Sequence, residues 1–215
     1  MVVSRRALGA IALACLGAGL LPGLAAAEQL PGAGEPLSGD VRYAAQWIAD
    51  SRDNKGLPFA IVDKRTAQLF VFSARGRLIG AAPALLGMAR GDHAVPGVGA
   101  LPPSRIPVAH RTTPAGRFAS EPGRNLDGED VVWIDYDAGL AIHRVRAYAV
   151  REARLQRLAS EVADEHRVSA GCVVVPVAFY EAVVHPTLGR GRAVVYVLPE
   201  TRAVQDMFVG RSADL

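Results

Sequence analysis

Short apolar runs separated by turn-forming residues dominate the pattern from Phe59 onward. Phe59-Ala60-Ile61-Val62-Asp63 and Gln68-Leu69-Phe70-Val71-Phe72 are bounded by Lys64-Arg65 and by Ala74-Arg75-Gly76. They predict two strands, with Leu78–Leu86 as a third after the turn, together an antiparallel meander. Val131–Asp135 and Leu140–His143 predict two more strands around Tyr136-Asp137-Ala138-Gly139, and Ala193–Leu198 a last one. Helical spacing is scarcer. Val41, Ala44, Ala45 and Ile48 predict a short helix over Val41–Ser51 that Asp40 can cap. Arg151–Ser160 predicts a charged helix with Leu155 and Leu158 inward. Pro176 suits the first turn of a helix reaching about Val184. The expected fold class is predominantly β or α+β, a β-sandwich or barrel with a few short peripheral helices.

Gly87–Thr113 is rich in Gly and Pro and has no periodicity. A loop of that length in a compact domain is expected to line a site.

The start of the chain has another character. Arg5 and Arg6 precede an almost wholly apolar Ala7–Leu21, and Ala25-Ala26-Ala27 has the small residues of a cleavage site. Residues 1–27 are therefore expected to be an export signal, implying a periplasmic or envelope location and no membrane span once it is removed. Ser4-Arg5-Arg6-Ala7-Leu8 leaves twin-arginine export open, and Ala12-Leu13-Ala14-Cys15 lipoprotein processing. Residues 28–56 are expected to form a linker and the short helix, 57–200 the catalytic domain and 201–215 a polar tail.

Charge excludes one class of partner. Lys and Arg number 24 against 21 acidic residues, so discounting Arg5 and Arg6 leaves 22 against 21. With no basic run interleaved with aromatics, nucleic acid is not an expected partner. Arg151, Arg154 and Arg157 are expected on a solvated face, with attraction of acidic substrate groups as the alternative. No phosphate loop, Gly-x-Ser-x-Gly or His-Glu-x-x-His occurs. His93, His110, His143, His166 and His185 show no zinc-ligand spacing, so no metal and no cofactor is expected.

Removal of Cys15 with the leader leaves Cys172 as the only cysteine. An exported lone thiol is either a buried small hydrophobe or a reactive group. Gly171 lets backbone approach a substrate closely, and amides near a helix start can donate to an oxyanion. A thiol needs a base, and His143, ending the apolar run Leu140-Ala141-Ile142, is the candidate.

The wider pattern favours reactivity. From Phe59 to Glu200, about two-thirds of the chain, the sequence resembles the L,D-transpeptidase catalytic domain family (YkuD-type). Ala60–Lys64 and Gln68–Phe72 resemble its opening hairpin, and Thr113-Pro114-Ala115-Gly116-Arg117-Phe118 its Thr-Pro-x-Gly-x-Phe loop. Ala141-Ile142-His143 resembles its histidine strand and Ser169-Ala170-Gly171-Cys172 its nucleophile motif. Ala170 and Val174 depart from that pattern, which commonly has histidine and asparagine or arginine there. Arg151–Ser160 resembles an insertion between the histidine and the cysteine.

The resemblance implies peptidoglycan stem peptides as donor and acceptor, a thioester on Cys172, His143 as base, and 3→3 crosslinks. Gly171 is expected to serve the oxyanion, Ser169 either the active-site backbone and substrate or the turn, and Arg167 and Arg144 either a substrate carboxylate or the plain surface. Alternatives are L,D-carboxypeptidase action, protein-to-wall attachment, and a non-catalytic peptidoglycan-binding module.

Overall fold

A computed structural model describes residues 37–146 and 153–209. The expected leader, most of the spacer and the start of the 151–160 helix lie outside the described residues. Strand β1 (Phe59–Asp63) pairs antiparallel with β2 (Gln68–Phe72), which pairs antiparallel with β3 (Leu78–Pro83). This is the expected meander. Its third strand ends at Pro83, short of Leu86, and Leu86–Gly87 forms a separate β4 paired with β8 (Arg167–Ser169). A proline supplies no ladder donor, so the strand stops where one stands.

β5 (Gly116–Arg124), β6 (Asp130–Asp135), β7 (Leu140–Arg144), β9 (Val173–Val175) and β10 (Ala193–Val197) complete a sheet ordered β3-β2-β1-β10-β5-β6-β7-β9. Leu85 and Val174 exchange backbone hydrogen bonds of 2.8 and 2.9 Å. That exchange joins β9 to the chain leaving β3 and nearly closes the sheet into a barrel. The fold is predominantly β, as the apolar runs predict.

One face of the sheet buries Ala60, Val62, Leu69, Val71, Ile142, Val173 and Val175 against the helical segment Val177–Leu188. That segment runs past the expected Val184, with Pro176 as its cap rather than inside its first turn. Outside, helix α1 (Gly39–Ser51) packs Val41, Ala44 and Ile48 on Phe59, Ile61, Phe70 and Phe72. Ser38 caps α1 in place of Asp40, its hydroxyl accepting from the Val41 amide at 3.2 Å. Asp40 lies inside the first turn and pairs instead with Arg65 at 2.7 Å.

Two further expectations change. The tail is not wholly polar: Val204, Met207 and Phe208 are buried beneath α1. The charged helix is a short α2 (Arg154–Leu158), with Leu158 buried but Leu155 58 % exposed.

Candidate active site

β7 and β9 run parallel, with Ile142 opposite Val173 and His143 opposite Val174. Side chains alternate along strands. Ile142, Val173 and Val175 enter the inner core, so His143, Val174 and, by continuation, Cys172 belong to the other face. There His143 and Cys172 line one cleft of about 850 Å³. The Pro-rich stretch Val98–Ile106 forms one wall, and Trp133 and Tyr136, in edge-on contact at 5.0 Å, another. Residues of Gly87–Thr113 thus line this cleft.

His143 Nδ1 lies 2.8 Å from the Arg144 carbonyl. A carbonyl only accepts, so in the neutral ring Nδ1 carries the proton and Nε2 the lone pair. Burial lowers the imidazole pKa to about 4, outweighing that carbonyl, and the nearby Arg146 and Arg154 charges push the same way. The Cys172 thiol donates to the Gly139 carbonyl at 3.5 Å. Burial pushes its pKa up, although the Ala141 amide favours the thiolate. At neutral pH the free protein therefore holds a thiol and a neutral imidazole on one cleft.

Hydroxyl groups fasten the turn that carries Cys172. Ser169 Oγ donates to the Cys172 carbonyl at 2.6 Å and accepts from the Gly171 amide at 3.0 Å. Gly171 has φ 143°, a conformation L side chains rarely adopt. Its amide, expected as an oxyanion donor, is committed to Ser169, and Ser169 itself acts as a turn clamp. Thr113 Oγ1 donates to the Gly171 carbonyl at 2.8 Å.

Neither expected carboxylate-binding arginine lines the cleft. Arg167 donates to the Lys64 carbonyl at 2.8 Å and to Glu200 at 2.6 Å. Arg144 pairs with Glu181 at 2.9 Å and lies over the Tyr180 ring. Arg154, expected on a solvated face, does line the cleft, as does Arg146, which pairs with Asp127 and Glu129. Arg157 donates to the Glu165 carbonyl. His166 is buried with its ring nitrogens facing the Ala84 and Ser160 carbonyls, and it does not line the cleft.

A buried ion cluster backs the site. Lys64 Nζ reaches Asp92 at 2.8 Å, Glu200 at 3.5 Å, and the Gly91 and Thr113 carbonyls at 2.6 and 3.0 Å. Sequence reasoning missed this cluster, because its charges are scattered over 137 positions, from Lys64 to Glu200. No group of three or more His, Cys, Asp or Glu able to hold a metal occurs among the described residues.

No protein-family model and no curated protein matches the chain. Among solved structures it is similar to LD transpeptidase LdtMt1 in complex with imipenem, at 17 % identity and TM-score 0.37 over 66 % of this chain. It is also similar to an L,D-transpeptidase from Mycobacterium smegmatis, at 14 % identity and TM-score 0.38 over 65 % of this chain. The chain spans 58 % of the length of each of those proteins.

Proposed function

We propose that this chain is a cysteine-dependent acyltransferase that acts on peptidoglycan stem peptides as an L,D-transpeptidase. One observation carries the reading: His143 on β7 and Cys172, immediately before its partner strand β9, open on one cleft. The lone pair on His143 Nε2 suits a general base, and the half-buried thiol a nucleophile activated only during attack.

In the first step Cys172 sulfur bonds to the donor carbonyl carbon while its proton passes to His143 Nε2. Collapse of the tetrahedral oxyanion breaks the C–N bond. The imidazolium then protonates the departing amine, a terminal D-alanine, and a thioester remains. In the second step a side-chain amine of a neighbouring stem attacks the thioester and loses its proton to His143. That proton returns to sulfur as the 3→3 crosslink leaves. Water in place of the amine gives carboxypeptidase action, and a protein amine gives attachment to the wall. None of these steps draws on a cofactor.

Such a substrate lies outside the cytoplasmic membrane, in keeping with residues 1–27 as a leader. Among the described residues no helix is long and apolar enough to cross a membrane.

The test is intact mass after incubation with a carbapenem. A covalent adduct that disappears in Cys172→Ala supports acyl transfer, whereas an unmodified wild-type chain points to a non-catalytic binding module. Muropeptide products from a tetrapeptide-bearing substrate then separate crosslinking from hydrolysis.

A further inference from the structure

The acyl-transfer chemistry above gives no task to Thr113, which is fully buried at the end of the cleft-lining loop. Its hydroxyl nevertheless makes two hydrogen bonds, accepting from the Gly87 amide at 2.9 Å and donating to the Gly171 carbonyl at 2.8 Å. The fit on both sides is tight. A Cβ on Gly171 would come within 2.8 Å of the Thr112 carbonyl oxygen, and one on Gly87 within 2.3 Å of the Arg111 carbonyl oxygen. Behind this segment Lys64 Nζ donates to the Thr113 carbonyl at 3.0 Å, anchoring it to the barrel.

Within one planar trans peptide the C=O and the N–H point in opposite directions. A hydroxyl that draws the Gly171 carbonyl toward the interior therefore turns the Cys172 N–H outward, to the side of its own sulfur. The Gly171 amide is already held by Ser169, so the Cys172 amide is the donor this turn presents.

We propose that Thr113 is a positioning residue: its hydroxyl fixes the Gly171–Cys172 peptide so that the Cys172 N–H receives the oxyanion. This rests on the acyl-transfer reading. An oxyanion donor works only if it is aimed before the charge develops.

The experiment compares two reactions at Cys172 in the wild type, Thr113→Val and Thr113→Ser. Acylation by a carbapenem passes through an oxyanion, whereas alkylation by iodoacetamide does not. Thr113→Val is expected to acylate about 10- to 100-fold more slowly, part of what loss of a whole donor costs. Its alkylation rate should be unchanged at a pH above the thiol midpoint, where the thiolate is fully formed, and Thr113→Ser should restore acylation. Equal slowing of both reactions, or acylation at the wild-type rate, overturns the role of Thr113 while leaving acyl transfer standing. A wild type that alkylates but never acylates sinks the acyl-transfer reading, and this proposal with it. Should Thr113→Val fail to fold, a crystal structure of the wild-type acyl-enzyme decides. The thioester oxygen should lie within hydrogen-bond distance of the Cys172 amide, and an oxygen held only by other donors overturns the proposal.

Discussion

Val174 of β9 stands directly across from His143 of β7. Cys172 lies two residues before Val174, so the same face of the sheet turns toward the imidazole and the thiol. From strand separation and rise, their α-carbons are roughly 8 Å apart, a gap the two side chains narrow. The pair is held by backbone pairing rather than by a bond between the two groups. Each makes its hydrogen bond to a local carbonyl, of Arg144 or of Gly139.

A neutral resting pair has a kinetic signature. Alkylation of Cys172 by iodoacetamide requires the thiolate, and burial opposes it. Its pH midpoint should therefore lie above the value for a free thiol, about 8.5. Acylation by a carbapenem should stay level through neutrality and fall only as pH drops toward about 4, where His143 protonates. His143→Gln should remove that acid limb and slow acylation by about 10²- to 10⁴-fold. An alkylation midpoint on the acid side of neutrality would mean a preformed thiolate–imidazolium pair and would sink this mechanism.

The same imidazole links stability to pH. Its pKa falls from 6.5 to about 4 on folding, so between those values the unfolded chain binds the proton and the folded one does not. Stability from keeping His143 neutral is thus complete above 6.5 and is lost as pH falls toward 4. Urea midpoints of the wild type should decline across that window. His143→Gln should decline less, and parallel declines would show that other groups govern acid sensitivity.

Gly171→Ala tests the turn itself. The backbone there has φ 143°, and a methyl group would meet the Thr112 carbonyl oxygen at 2.8 Å. Relieving that contact displaces the Cys172 amide and sulfur together. We expect a loss of about 1–3 kcal/mol in stability, the usual cost of such strain, and a collapse of acylation. A folded Gly171→Ala protein with wild-type acylation would show that the turn tolerates a different geometry.

Much of this site is legible in the sequence, and the reasons for what is not are physical. The inward faces of β1, β2 and β10 are apolar runs, so their strands can be read directly. β5 cannot, because Glu121, Pro122, Gly123 and Arg124 interrupt any alternation on a largely exposed strand. The cysteine and histidine are identifiable because their chemistry is rare in the chain. Arg167 and Arg144 cannot be placed for the opposite reason: an arginine near the site motifs reads alike whether it binds substrate or pairs within the fold, as Arg167 does with Glu200 and Arg144 with Glu181. Thr113 sits in a recognisable motif, but its task exists only once Gly87 and Gly171 close around it.

Lys64→Met isolates the buried ion cluster. Burial opposes the Asp92 charge, yet hydrogen bonds from Lys64 and Thr201 hold its carboxyl well below the usual range. Removing the ammonium group leaves Asp92 and Glu200 facing each other's charge without Lys64. We expect a loss of about 3–5 kcal/mol, as for other broken buried pairs, read from urea denaturation. Because Lys64 also binds the Gly91 and Thr113 carbonyls, the 87–113 loop should become the first site of limited proteolysis. Unchanged stability and an intact loop would mean that Arg167 alone suffices to balance Glu200.

Phe208 offers a test of whether the 204–208 segment belongs to the cooperative unit. Its ring is 4.5 Å from that of Trp47 and 6.4 Å from that of Tyr196, so it bridges α1 and β10. Only 2 % of it is exposed, whereas the next residue, Val209, is 78 % exposed. Phe208→Ala should therefore cost about 3 kcal/mol through lost burial and the cavity left behind, and Val209→Ala almost nothing. Urea midpoints measure both, and Trp47 fluorescence should shift to the red in Phe208→Ala as water reaches the indole. Equal midpoints for the two variants would place the 204–208 segment outside the cooperative unit, and α1 would then need another partner to cover its buried face.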